Sequence, residues 1–131
     1  MRKIISKPRI KKRPSYVGCA LAHAVMLEMI KYKIDFNNIT SESPFAGVQY
    51  KRYADGDKQI RLIEYTKEMP LHWCEKGHWG MVLDGQMEIE FPSGKVIYKK
   101  GDGIFIPDGP EHKHRGRVLT ESAKVVFVEN A

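Results

Sequence analysis

From residue 47 onward, apolar and polar positions alternate in short runs broken by turn residues. Residues 48–53 and 59–66 predict two paired strands, with Ala54-Asp55-Gly56-Asp57 as the hairpin turn between them. Residues 81–91 read as a further strand, with Met87, Ile89 and Phe91 on one face and Gln86, Glu88 and Glu90 on the other. Pro92-Ser93-Gly94 turns the chain into residues 95–99, and Gly101-Asp102-Gly103 turns it again before Ile104-Phe105-Ile106. Asp108-Gly109-Pro110 precedes a histidine-bearing segment, and residues 123–128 close the series. Short strands with turns every ~8–12 residues predict an all-β sandwich or barrel of the jelly-roll kind. No rhythm of alternating strands and helices points to a parallel sheet.

Before residue 47 the pattern differs. Ala22, Val25, Met26, Met29 and Ile30 recur at helical spacing, which predicts one helix over residues 20–33. Lys31 and Lys33 suit its C-terminal turn. Its apolar stripe needs a surface to cover, either the barrel or a second subunit. Residues 35–46 hold Asn, Thr, Ser and Pro with weak periodicity and read as a linker. The expected division is an arm, helix and linker over 1–45 and a β-barrel over 46–131, a length that suits one domain.

Charge sharpens this picture. The net charge is +6, yet residues 1–14 alone carry seven basic residues and no acid, so residues 15–131 stand at −1. The basicity belongs to a tail. It is read as a solvated end, with contact to nucleic acid, anionic lipid or an acidic partner as the alternative. One helix is too little for a helix-turn-helix unit, so nucleic acid is not the expected partner. The apolar stretch 17–27 is too short to span a bilayer and lacks the marks of an export signal. Two cysteines, Cys19 and Cys74, make no disulfide framework, and a reducing, cytoplasmic setting is expected.

Four of the five histidines lie in two short windows, His72 and His78 in one, His112 and His114 in the other, with Cys74 inside the first. Side chains two apart on a strand share a face. His72 and Cys74 therefore point together, as do His112 and His114, and two such strands can converge nitrogen and sulfur on one metal ion. A surface cluster of histidines is the alternative reading. His114 is placed just outside the ligand set or on the surface, and Glu75 is expected to face away.

These windows resemble the two motifs of the cupins. The run His72-Trp73-Cys74-Glu75-Lys76-Gly77-His78, followed after six residues by Gly85, is similar to the first motif. The run from Gly101 through Pro107 and Gly109 to His112 matches the second at each defining position. Fifteen residues separate Gly85 from Gly101, the short spacing of compact bacterial cupins. The resemblance covers about residues 45–131. It implies a double-stranded β-helix and a metal held by His72, Cys74, His78 and His112. Two positions depart from the family: Cys74 stands where a histidine is usual, and His78 where a glutamate is. Thr66 and Gly116 replace a glycine and an asparagine of the motifs. The cofactor implied is a divalent metal, zinc if Cys74 ligates as a thiolate, with iron, manganese, nickel or copper as alternatives.

Three functions follow from the resemblance. One is a small metalloenzyme of isomerase, lyase or oxygenase type, acting on a sugar-like, acidic or diketone-like molecule bound in the barrel mouth. Another is a non-catalytic ligand-binding or sensor module, with a closed structural metal if all four residues ligate. The third is a cupin that has lost its metal. A homodimer is the expected assembly.

Overall fold

In a computed structural model, the described residues are 31–131. The basic tail and nearly all of the helix expected over 20–33 lie outside them; of its last residues, Lys31 and Tyr32 form a turn. The unit from Asp35 to Ala131 is built of nine strands and two single 3-10 turns.

Eight-residue β2 (Val48–Asp55) and nine-residue β3 (Lys58–Thr66) form the expected hairpin, closed by a two-residue turn led by Gly56 at φ 61°. Both belong to a six-stranded antiparallel sheet with β1 (Glu42–Phe45), β9 (Ser122–Asn130), β4 (His78–Asp84) and β7 (Gly103–Ile106), ordered β1-β2-β3-β9-β4-β7. A three-stranded sheet, ordered β6-β5-β8, holds β5 (Gln86–Phe91), β6 (Gly94–Lys99) and β8 (Arg115–Val118). The all-β reading therefore stands. The stretch 35–46, read above as linker, supplies a 3-10 turn at Phe36–Asn38 and the edge strand β1. Four residues with no internal alternation carry too little pattern to announce a strand.

The expected single strand over 81–91 is two strands in different sheets. Gly85 separates them at φ 78°, and a Cβ there would strike the Ser122 carbonyl, so only glycine carries the chain from one sheet to the other. The core lies where the two sheets meet. Val48, Ile63, Val82, Ile104, Ile106, Val125 and Phe127 from one sheet pack with Met87, Ile89 and Val118 from the other. Strand β9 shows the pattern at its plainest: Ala123, Val125, Phe127 and Glu129 are buried while Lys124 and Val128 are exposed. Glu129 breaks the apolar rule on that inner face.

Gly80 explains how tightly β4 sits between its neighbours, since a Cβ there would overlap the Val126 carbonyl oxygen and crowd the Phe127 ring. Gly103, its near neighbour on β7, has room: only the Gly80 oxygen comes near, at 3.8 Å. Gly80→Ala is therefore expected to lower unfolding free energy by about 2 kcal/mol or more, as overpacking does, with Gly103→Ala costing well under ~1 kcal/mol. Urea titrations of the two variants compare them directly.

Candidate metal centre

The two histidine windows are laced together by backbone. Cys74 N–H donates to the His114 carbonyl at 2.8 Å and His114 N–H returns to Cys74 at 2.9 Å, an isolated antiparallel bridge. Gly77 N–H donates to Asp108 Oδ1 at 2.6 Å, and Gly109 N–H to the Glu75 carbonyl at 3.0 Å. Gly77 allows this approach, because a Cβ would collide with the backbone of Ile106 and Asp108. His78 then opens β4 opposite Ile106.

This lacing gathers Cys74 Sγ and one ring nitrogen each of His78 and His114 within 4.8 Å of one another. Both histidines are buried. Their rings meet edge to face at 5.1 Å, and His78 also stacks on Phe127 at 4.4 Å. The three could hold a metal ion.

Hydrogen bonds set the free nitrogens. His78 Nδ1 lies 2.6 Å from Glu129 Oε2, so Nδ1–H donates to the carboxylate and Nε2 keeps its lone pair. His114 Nδ1 lies 3.0 Å from the His112 carbonyl and donates in the same way. Its Nε2 is fully buried and without a partner. A buried acceptor left empty is costly unless something fills it, and a metal ion is what a thiol and two imidazoles arranged like this fit.

Glu129 governs the far side. Its side chain has no solvent exposure, and it accepts from Gln59 Nε2 at 2.9 Å, from Arg61 Nε, from Arg61 NH2 at 3.1 Å, and from His78. Burial pushes its carboxyl up, but the hydrogen bonds from His78, Arg61 and Gln59 and the Arg61 charge hold it down at about 2. For His78, burial works against the charged form, and the bonds to Cys74 and Glu129 outweigh it and raise the pKa. The Cys74 thiol is lowered, chiefly by its hydrogen bond with His78, against a smaller opposing effect of burial.

A cavity of about 220 Å³ opens over the cluster, walled by Phe45, Val48, Met69 and Met87 among apolar groups and by Arg61, Tyr65, His72 and Arg115 among polar ones. Tyr65 makes no hydrogen bond among the described residues, and burial pushes its phenol up to about 12.

Of the four ligands implied by resemblance, the structure brings two, Cys74 and His78, into the cluster. His72 borders the same cavity, but its ring lies edge-on to Phe45 at 5.3 Å and its Nδ1 sits 3.1 Å from the Pro70 carbonyl. His112 stands in a 3-10 turn (Pro110–His112), partly exposed, 3.6 Å from Glu111. His114, read above as marginal, is the third member. Pro110 starts a 3-10 turn that takes up Glu111 and His112, and the chain extends again at Lys113. Glu129 is legible in the sequence as a charged residue in phase with Val125 and Phe127 on the inner face of β9.

Residues 59–129 match the family model for the cupin domain, more than half of the chain. This chain is a cupin. The cupin is 28% identical over 95 residues to phomopsin biosynthesis cluster protein D of Diaporthe leptostromiformis, covering 70% of this chain and 50% of that protein. It thus spans about half the length of that curated relative. Among solved structures, a sugar phosphate isomerase of the cupin superfamily from Silicibacter pomeroyi superposes with a TM-score of 0.60 at 17% identity, covering 76% of this chain and 75% of that one. FeII HppE superposes with a TM-score of 0.61 at 13% identity, over 75% and 58%. At such identities the likeness is one of fold. Among the described residues no helix is long and apolar enough to cross a membrane.

Removing the Glu129 carboxylate would leave Arg61 and His78 facing an empty pocket. Glu129→Ala is expected to cost about 3–5 kcal/mol, the usual result of breaking one side of a buried pair. Glu129→Gln, which keeps shape and one acceptor, should cost markedly less. Denaturant titration in excess chelator measures both without any contribution from metal.

Proposed function

We propose that this cupin is a small-molecule metalloenzyme whose single divalent ion is held by Cys74 Sγ, His78 Nε2 and His114 Nε2. The observation that carries the reading is the buried, partnerless Nε2 of His114 beside a thiol and a second imidazole whose orientation is fixed by Glu129. Three protein ligands leave a coordination position open to the cavity, as in catalytic rather than structural zinc sites. The thiolate favours zinc. Bound there, the ion would act as a Lewis acid on an oxygen of the substrate.

The rest of the cavity selects the substrate. Phe45, Met69 and Met87 give it an apolar wall. Arg115 lines the same space; its Nε is held by Glu90 and its guanidinium lies over the Trp73 ring, 4.7 Å from the centroid. Tyr65, kept neutral, offers a hydroxyl donor. An apolar wall, a cation and a phenol suit a small organic acid with an oxygen near its acid group. Reaction types in keeping with this site are isomerisation, elimination or oxygenation of such an acid. The non-catalytic sensor remains the second reading, favoured only if a ligand binds and is returned unchanged.

Protein purified without added metal should carry about one equivalent of metal by elemental analysis. Cys74→Ala and His114→Ala should each reduce it severely, whereas His112→Ala and His72→Ala should retain it. Loss on His112→Ala with retention on His114→Ala would transfer the site to the ligand set implied by the sequence motifs. A panel of small carboxylic acids should raise the melting temperature of the metal-loaded protein, because a ligand of the native state stabilises it. For an acid that does so, Tyr65→Phe should weaken binding about tenfold, the worth of one hydrogen bond of ~1.4 kcal/mol, with metal content unchanged.

A further inference from the structure

No aspartate or glutamate is among the residues that line the cavity over the cluster, whereas Arg61, Lys76 and Arg115 all are. Two of these cations already have an anion. Arg61 is bonded to Glu129, and Arg115 Nε donates to Glu90 at 2.5 Å. Lys76 makes no ion pair among the described residues. It is half-buried, and it stands in the chain between Cys74 and His78, two members of the cluster. The backbone on either side of it is pinned. The Glu75 carbonyl accepts from Gly109 N–H at 3.0 Å, and Gly77 N–H donates to Asp108 Oδ1 at 2.6 Å. Lys76 has thus lost part of its hydration and much of its backbone freedom without gaining an anion. Burial of a charge is costly until a partner meets it, and a group already held in place loses little more on binding one.

We propose that Lys76 holds a second acid group of the substrate, beyond the one that Arg115 attracts, so that the molecule bound over the cluster is a dianion: a dicarboxylic acid or a phosphorylated acid. The inference rests on the acid-binding reading above and sharpens it. The balance of charge carries it. A divalent ion with the Cys74 thiolate leaves the centre one unit positive. Arg61 and Glu129 cancel, as do Arg115 and Glu90, and Lys76 then adds a second positive unit. No lining carboxylate of the protein offsets it. Beside the apolar wall of Phe45, Met69 and Met87 such charges are screened less than in open water, so the number of negative charges on the ligand matters. A neutral molecule or a monoacid leaves Lys76 without a partner. A dianion supplies a charge-assisted hydrogen bond to its ammonium group, the stronger class of such bonds.

Calorimetric titration of the metal-loaded full chain with matched small mono- and dianions tests this. The pairs include butyrate against succinate and glycerate against 3-phosphoglycerate, which tell a second carboxylate from a phosphate. In at least one pair the dianion should bind about tenfold tighter or more. Lys76→Met and Lys76→Gln should each remove that advantage, with metal content unchanged. Lys113→Met is the control. Its ammonium group lies over the Trp73 ring, 5.2 Å from the centroid, and it does not line the cavity. Losing that nearby charge should leave the advantage in place, which separates a contact at Lys76 from the general field of the protein. Equal binding within every pair overturns the inference and leaves the acid reading standing. A preference that survives both Lys76 substitutions does the same, since the metal would then hold the second acid group. If no acid of either kind binds, the acid reading falls and this inference with it.

Discussion

One carboxylate organises the interior of this barrel. Glu129 has no access to water, and its two oxygens receive four donors from three residues on two neighbouring strands. A carboxylate offers about four acceptor positions, so its capacity is filled. Gln59 is its cross-strand partner on β3, Arg61 lies two residues further along the same inner face, and His78 opens β4 on the other side. The arrangement therefore ties β3, β9 and β4 at one end of the large sheet. Were the carboxylate unpaired, burial would force a proton onto it. The Arg61 charge and the donated hydrogen bonds keep it ionised instead, and an ionised Glu129 is what fixes the proton of His78 on Nδ1.

The orientation of His78 carries through to the cluster. With Nδ1 committed to Glu129 and the ring stacked on Phe127, Nε2 has one direction left, toward Cys74 and His114. His114 repeats the device with a backbone carbonyl in place of a carboxylate. Two imidazoles are thus held in one tautomer by groups outside the cluster, the outer support that metal-binding histidines commonly have. The thiol completes a donor set with one soft and two borderline ligands. The charges are also matched: Arg61 balances Glu129, so a thiolate and a divalent ion would leave the centre one unit positive, facing a cavity bordered by Arg115. That charge balance supports the acid substrate proposed for the cavity.

How far the residues alone disclose this depends on the range of the forces involved. The hairpin of β2 and β3 was readable because period-two alternation and a Gly-led turn are local. The all-β class was readable for the same reason. Where tertiary contacts decide, local reading failed: Gly85 looks like any residue inside the run 81–91, and only the Ser122 carbonyl pressed against it shows why the strand must break there. At the cluster, motif spacing pointed to two segments that the structure laces together, and along the first of them it named His72, Cys74 and His78, of which Cys74 and His78 meet. In the second segment His112 is the residue implied by resemblance; the structure places it in the 3-10 turn that Pro110 begins, and His114, two residues on, in the cluster. Tyr65 and Arg61 lie on β3, upstream of His72, and the sheet register brings them to the cavity.

Alternation along a strand also divides the labour of the molecule. On β9, Phe127 and Glu129 face inward to support His78, while Val126 and Val128, one residue removed, face outward beside Leu62, Ile60, Met81 and Trp79. On β4, His78 and Trp79 are adjacent in sequence and point to opposite faces, one to the cluster with Cys74 and His114 and one to the edge-to-face contact with Phe105. Side chains on opposite faces of a sheet share backbone but few contacts, so perturbations confined to them should add nearly independently. Coupling between centre and outer face would have to pass through the backbone of β4 itself. There Gly80, packed against the Val126 carbonyl, leaves the strand little freedom to shift. A rigid strand of this kind can hold a precise donor geometry on its inner side.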